Sequence, residues 1–205
     1  MKRALLLIII LVIAGVTAYK LFFGKENPKE EIKEAPLTVN KSSDAFNTSF
    51  AGMMSDYFTI KDALVDWDTA KANNAAIALE ESSGKLPVKG LKADSTAVET
   101  AVNYIQSIQS ETKGFRGEQS IDQKRRSFNM LTSELYDLIR TVRFDGQVVY
   151  HVRCPMAFGD SAEGYWLSAQ AKIVNPYLGN KHPTYKAKMI GCGELVDSLD
   201  FSKKQ

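Results

Sequence analysis

Two cysteines, each close to a methionine, are the residues of this chain best suited to chemistry. Cys154 lies two residues before Met156, and Cys192 lies three residues after Met189. Thiolate and thioether sulfur are soft donors, and soft donors select copper(I) over hard ions. If the two segments meet, the four sulfur atoms could bind one ion. The sequence therefore predicts a copper(I) site formed by Cys154, Met156, Met189 and Cys192.

The two histidines are candidates for additional metal ligands. His151 lies on a segment that alternates like a strand, and this alternation places it on the face opposite Cys154. His182 lies between the two cysteines in sequence. Two Cys and two His could also form a structural zinc site, but their spacing matches no standard zinc finger. Copper(I) is therefore preferred over zinc.

Residues 1–23 have the features of an export signal or a membrane anchor. Lys2 and Arg3 precede an apolar run over residues 4–18. The small residues that end at Ala18 would allow a signal peptidase to cleave after it. However, apolar residues resume shortly after Ala18, and a segment of about 20 apolar residues can cross a bilayer. We therefore expect export to the periplasm or cell envelope with an N-terminal membrane anchor, and cleavage after Ala18 is the alternative.

Export makes a disulfide the main alternative to a metal site. Exported proteins with an even number of cysteines are usually oxidised. A Cys154–Cys192 bridge would then be structural, and the protein would be a non-metal interaction module for another envelope protein. The two states are compatible, because a disulfide can be reduced.

The sequence has no phosphate-binding loop and no Ser/His/Asp arrangement, so we expect no enzymatic activity.

Residues 24–42 are rich in Lys, Glu and Pro and are predicted to be a flexible linker.

The charge balance of the chain excludes a nucleic-acid surface. The chain has 26 Lys and Arg against 24 Asp and Glu, and three of the basic residues lie in the leader, which has no acid. The formal net charge of the remaining residues is therefore about −1, which leaves no excess of basic side chains to bind nucleic acid. We interpret Lys124, Arg125 and Arg126 as the solvated side of a helix.

Residues 43–144 carry the apolar periodicity of amphipathic helices. Apolar residues recur at spacings of three and four from Phe46 to Trp67, which predicts one long helix. Asp68 is the predicted N-cap of a second, Ala-rich helix that ends at Gly84.

Two further helices are predicted from capping boxes. Thr96 with Glu99, and Ser120 with Gln123, have the spacing in which two side chains cap a helix start. Four amphipathic helices with short connections predict a mainly α protein, built as an antiparallel four-helix bundle.

Residues 145–200 have a different pattern. Residues 147–153 alternate with a period of two, which predicts a strand that Pro155 ends. The rest is rich in Gly, Pro, Asn and aromatic residues, which predicts a loop-rich element with short strands. We expect this element to pack on the bundle.

Turn-forming residues surround the second cysteine. Gly191 and Gly193 flank Cys192 and would let the backbone turn tightly around it. We interpret Asn175 and Gly179 as turn-forming residues only.

Four ordered motifs resemble a bacterial envelope domain family of unknown function: Cys154-Pro155-Met156-Ala157, residues 164–168 (GYWLS), residues 173–179 (IVNPYLG) and residues 189–194 (MIGCGE). The resemblance is close over residues 147–197 and looser over the helices. Relatives occur alone behind an export signal or fused to periplasmic adaptors of copper/silver efflux pumps. The resemblance implies heavy-metal binding as a chaperone or buffer, with an efflux-system protein as a partner. Many relatives carry His where Arg153 stands here.

Overall fold

Four α-helices form the first part of the described chain, in the order that the periodicity predicts. The computed structural model describes residues 42–159 and 162–203. Within them, the helices are α1 (Asp44–Val65), α2 (Thr69–Gly84), α3 (Ser95–Gly117) and α4 (Ile121–Val142), with a 3-10 turn at Val88–Gly90 before α3. Each helix packs against the next in sequence. The prediction of a mainly α protein with a four-helix bundle is confirmed.

The apolar stripe of α1 lies in the core as predicted, except at its last residue. Phe46, Phe50, Met53, Tyr57, Ile60 and Leu64 are all buried. Trp67 was expected to extend this helix, but α1 ends at Val65 and Trp67 has a φ of +59°. Its indole N–H donates to the Leu178 carbonyl (3.2 Å), and the Arg125 guanidinium lies 4.2 Å from its ring. Tertiary contacts therefore override helical periodicity at this position.

The predicted helix caps are correct at two of three positions. The Asp68 side chain accepts the backbone N–H of residue 71 at 2.9 Å, and Ser120 with Gln123 forms the expected capping box. The box predicted at Thr96 is wrong, because α3 begins at Ser95, two residues earlier than a cap at Thr96 would place it. Asp94 is the N-cap instead, and its carboxylate accepts the N–H of Ala97 at 2.7 Å. An Asp two residues upstream offers an equally good cap, which spacing alone does not reveal.

A three-stranded antiparallel sheet follows the bundle, and its strand order places β1 in the centre. The strands are β1 (Val149–Cys154), β2 (Gly164–Ser168) and β3 (Glu194–Leu199), in the order β2-β1-β3. We call the described part of residues 149–199 the cysteine region. A β-bulge interrupts the β1–β3 pairing between His151 and Val152. Cys154 is the last residue of β1, and β1 is the central strand, which pairs with β2 on one side and β3 on the other.

The outer edge of β2 is closed by side chains of the bundle. The backbone N–H of Tyr165 donates to Asn129 Oδ1 (2.7 Å), and that of Leu167 donates to the Tyr57 hydroxyl (3.0 Å). Tyr57 also shares a hydrogen bond of 2.7 Å with Thr132. Edge N–H groups need partners when they are buried. These bonds dock the sheet onto α1 and α4.

The interpretation of the basic run on α4 is wrong for two of its three residues. Lys124 and Arg125 are each only 2% exposed, whereas Arg126 is exposed. Lys124 Nζ donates to the Phe115 carbonyl (2.8 Å), and Arg125 Nε donates to the Pro176 carbonyl (3.0 Å). Burial lowers the pKa of Arg125 to about 10. Both cations are buried because backbone carbonyls accept their hydrogen bonds.

The predicted leader (residues 1–23) and all but the end of the predicted linker (24–42) lie outside the described residues. Among the helices that the structure describes, none has the length and apolarity needed to cross a membrane.

Candidate functional site

The structure brings the two cysteines of the predicted site into contact. Cys154 Sγ and Cys192 Sγ are 3.6 Å apart, and both are free thiols. Cys154 is fully buried at the end of β1, whereas Cys192 is partly exposed in the loop before β3. Thirty-eight residues separate them in sequence. The contact therefore depends on how this loop is held against the sheet.

The surroundings of Cys154 are apolar and tightly packed. Cys154 pairs with Gly164 on β2, and a Cβ at Gly164 would lie 2.7 Å from the Tyr177 ring. The missing side chain lets the buried ring of Tyr177 pack over this part of the sheet. Trp166 is also fully buried, and its ring centroid is 6.1 Å from that of Tyr177. These two aromatic residues exclude water from the buried cysteine.

Asn175 holds the segment that carries Cys192. Its side chain is fully buried, and Nδ2 donates to the Cys192 carbonyl at 2.7 Å. Its backbone N–H donates to the Ile190 carbonyl at 2.8 Å. Oδ1 accepts the backbone N–H groups of Tyr177 (2.8 Å) and Leu178 (3.0 Å). The expected turn is present, but Asn175 also joins two distant loops, and the sequence carries no signal for this role.

Gly179 is likewise more than a turn residue. It has a φ of +59°, and a Cβ there would lie 2.6 Å from both Trp67 Nε1 and the Val65 carbonyl. The next residue, Asn180, donates its backbone N–H to the same carbonyl of Val65 at 2.9 Å. Gly179 therefore allows close contact between this loop and the end of α1.

Of the two glycines beside Cys192, only Gly193 is required by the backbone. Gly193 has a φ of +148°, and a Cβ there would lie 2.8 Å from the Trp166 ring and 2.9 Å from the Arg153 carbonyl. Gly191 has open space around its Cα and no positive φ. The expectation is therefore correct for Gly193 and wrong for Gly191. Gly193 allows the chain to pass close to β1, which places Cys192 beside Cys154.

Each methionine of the predicted site lies in a turn within three residues of its cysteine. Met156 is in the turn that follows β1. Met189 begins a turn in which the backbone N–H of Cys192 donates to the Met189 carbonyl at 3.0 Å. Both methionine side chains are half-buried and pack against the hydrophobic core. Neither sulfur makes a hydrogen bond with the residues that the structure describes.

The thiol of Cys192 is protonated at neutral pH. Burial, with a smaller contribution from the hydrogen bond with Cys154, raises its pKa to about 11. A thiol with a raised pKa is a poor nucleophile, because the thiolate is the reactive form. Binding of a metal ion would have to displace the proton, so metal affinity at this pair should rise with pH.

His151 lies on the other face of β1. Its ring lies between those of Tyr136 and Tyr165, with centroid distances of 4.3 Å and 5.2 Å. Burial lowers the pKa of His151, and the negative charges of Asp197 and Asp137 partly oppose this shift. The position agrees with the strand alternation, which separates His151 from Cys154.

His182 is part of a local turn. Its Nδ1 accepts the backbone N–H groups of Thr184 and Tyr185, both at 3.2 Å, and its ring stacks on Tyr185 at 4.8 Å. In residues 42–159 and 162–203, no three His, Cys, Asp or Glu side chains form a group that could hold a metal. The set of two Cys and two His that a zinc site would need is therefore not assembled among these residues.

Arg153, on the central strand β1, forms ion pairs with acids beside both neighbouring strands. Its guanidinium donates to Glu163 (2.9 Å), directly before β2, and to Glu194 (2.9 Å), the first residue of β3. These acids raise the pKa of Arg153 above its ordinary value. The side chain is thus engaged in ion pairs and helps to hold β3, directly after Cys192, against β1.

Fold and site together define a helical bundle with a small sheet that carries a dithiol. A family model described as "Protein of unknown function (DUF3347)" matches residues 53–145. The match runs from the middle of α1 to just beyond α4 and ends before β1, so both cysteines lie outside it. No curated protein and no solved structure matches the chain at a significant level.

Proposed function

We propose that this protein binds a soft metal ion, most simply copper(I), through Cys154 and Cys192. The observation that carries the proposal is the 3.6 Å separation of the two sulfur atoms. Two sulfurs that bind one ion at about 2.3 Å with a tetrahedral angle lie roughly 3.8 Å apart. A single ion can therefore bridge the pair with little movement of either segment.

Met156 and Met189 complete the proposed donor set. Each lies within three residues of its cysteine, and its side chain packs against the hydrophobic core. Methionine has three rotatable side-chain bonds, so its thioether can reorient towards an ion without a change in the backbone. Four soft sulfur donors favour copper(I) over zinc or hard ions.

A buried, unpartnered N–H donor on β2, the strand next to Cys154, supports the same proposal. The Trp166 indole N–H is buried and has no hydrogen-bond acceptor among the described residues. The Trp166 ring packs against Gly193, next to Cys192. Two thiolates bound to copper(I) carry a net negative charge, and a nearby N–H donor stabilises such charge.

The proposed setting is the bacterial cell envelope, where the protein acts as a copper chaperone or buffer. Support comes from the basic and apolar leader at residues 1–23 and from the resemblance to domains fused to copper/silver efflux adaptors. The leader would anchor the protein in the membrane. An efflux-system or other envelope protein is the proposed partner for metal delivery.

The second candidate function is a non-metal interaction module in which Cys154–Cys192 is a structural disulfide. The complete burial of Cys154 against Cys192 favours this candidate. In that case the bundle provides the surface for the partner, and the methionines contribute only to packing.

Competition for copper(I) separates the two candidates. Reduced protein is titrated, without oxygen, against a chromogenic copper(I) chelator. The double variant Met156→Leu/Met189→Leu should lower copper affinity by roughly tenfold or more, because two ligands are lost while side-chain volume is kept. Met130→Leu is the matched control, since Met130 is 56% exposed on α4 and should have no effect. A folded, reduced wild-type protein that fails to compete would exclude the metal function.

A further inference from the structure

The two thiols differ in their access to solvent and in how firmly the backbone holds them. Cys154 is fully buried on the central strand, whereas Cys192 is partly exposed in a loop. We infer that Cys192 is the site at which a disulfide oxidant reacts first, that Cys154 then closes the bridge, and that closure switches off metal binding. The last step rests on the proposed function, whereas the order of oxidation does not.

The geometry determines which cysteine must move. A disulfide needs a sulfur separation of about 2.05 Å, so the pair must approach by roughly 1.5 Å from 3.6 Å. Cys154 pairs with Gly164, and the preceding residue, Arg153, pairs with both neighbouring strands. Cys192 is held by the side chain of Asn175 and by one turn hydrogen bond to Met189. The loop carrying Cys192 therefore makes the approach.

The reaction is an ordinary exchange between a dithiol and an external disulfide, RSSR. The raised pKa of Cys192 slows the first step, but Cys192 is the thiol that an external disulfide can reach. The Cys192 thiol loses its proton and attacks RSSR, which forms a Cys192–SR mixed disulfide and releases one RS⁻. The Cys154 thiol then loses its proton, attacks Cys192 Sγ, and releases the second RS⁻. The two released protons convert both leaving groups to RSH. The protein loses two hydrogens, and RSSR is reduced to two RSH.

Burial of Cys154 makes the order of these steps obligatory. An external disulfide cannot reach a sulfur that has no exposed surface, whereas Cys192 Sγ lies 3.6 Å from it and can be attacked from inside. A closed bridge has no thiolate to offer, and thiolate is the form that binds metal. Oxidation would therefore stop binding without any change in the fold of the bundle.

The order of oxidation is tested with oxidised glutathione and intact-mass measurement of the full chain. Wild type should lose two hydrogens and retain no glutathione. Cys154→Ser should accumulate one glutathione on Cys192, because no thiol remains to resolve it. Cys192→Ser should stay unmodified for at least ten times longer. Equal rates of adduct formation in the two variants would overturn the inference, as would a stable glutathione adduct on wild type.

A second measurement separates this inference from the metal proposal. Reduced and bridged wild-type protein are compared in the copper(I) competition, with helical circular dichroism as a check on the fold. The inference expects affinity to fall at least a hundredfold in the bridged form. Equal copper binding by both forms would overturn the switch. Ordered oxidation with no copper binding by the reduced form would contradict the switch and the proposed function, but would uphold the order of oxidation.

Discussion

The bundle and the cysteine region are held together by different kinds of interaction. In the bundle, apolar side chains at spacings of three and four are buried along each helix, as from Phe46 to Leu64 on α1. In the cysteine region, buried polar side chains also join segments that are far apart in sequence: Asn175 donates to the Cys192 carbonyl, and Arg125 of α4 donates to the Pro176 carbonyl. Loss of one such buried polar side chain leaves every group bonded to it without a partner, whereas loss of an exposed neighbour has little effect. Four predictions test this difference, in decreasing order of the change that we expect.

Removal of the Asn175 side chain should have the largest effect. Asn175→Ala leaves the Cys192 carbonyl and two backbone N–H groups without partners, and each buried unpartnered group costs about 1–3 kcal/mol. We expect the free energy of unfolding to fall by about 4 kcal/mol in a denaturant titration. We also expect faster alkylation of Cys154.

Asn180→Ala is the matched control for this variant. Asn180 lies in the same loop, and its side chain bonds to Asp66 near the surface. Its loss should cost about 1 kcal/mol or less. Equal destabilisation by the two variants would contradict the role of Asn175 in joining two distant loops.

Arg125 and Arg126 provide a comparison between neighbours on one helix. Arg125→Ala removes hydrogen bonds to the Pro176 and Leu64 carbonyls and the contact with the Trp67 ring. We expect a loss of about 3 kcal/mol, because the carbonyls remain buried without a charged donor. Arg126→Ala should cost less than about 1 kcal/mol, since Arg126 is exposed. Similar melting temperatures for the two variants would show that the buried arginine does not hold the loop.

Gly193 and Gly191 allow the same comparison on either side of Cys192. In Gly193→Ala, the added methyl group is strained by the positive φ and clashes with the Trp166 ring. We expect the free energy of unfolding to fall by about 2 kcal/mol. Gly191→Ala should change stability by less than about 0.5 kcal/mol. The rate of disulfide closure should fall only in Gly193→Ala, because that variant displaces Cys192. A strong effect of Gly191→Ala would instead place the backbone constraint on the other side of the cysteine.

The smallest effect concerns pH and His151. Burial lowers the pKa of His151 in the folded state below its unfolded value of 6.5, so the unfolded state binds more protons in this range. The stabilising contribution is therefore complete above pH 6.5 and is lost as pH falls towards the folded-state pKa. His151→Gln should flatten this decrease in a urea titration between pH 7.5 and pH 5. His182→Gln is the control, and an unchanged slope in His151→Gln would contradict the burial of the imidazole.

The sequence predicted those parts of the fold that depend on local periodicity and capping. The stripe on α1, the cap at Asp68 and the box at Ser120 follow from side-chain spacing within one helix, and all three are present. Trp67 and Arg125 were misassigned for a common reason: each contacts the loop at residues 176–178, which no local pattern in the sequence brings near them.

The same distinction applies to the candidate site. Soft donor chemistry pointed to Cys154 and Cys192, and the 3.6 Å contact between them is consistent with that choice. Asn175 was interpreted only as a turn residue, because a bond across 17 residues to the Cys192 carbonyl leaves no mark on composition or spacing. Long-range polar contacts of this kind require the three-dimensional structure.

X-ray absorption at the copper edge is the decisive test of copper(I) binding by Cys154 and Cys192. Reduced protein is loaded with one equivalent of copper(I) without oxygen and freed of unbound metal. Our account predicts one retained ion with only sulfur neighbours, and loss of at least one sulfur neighbour in Cys192→Ser. A first shell of nitrogen and oxygen, or no retained copper on a folded and fully reduced protein, would contradict it.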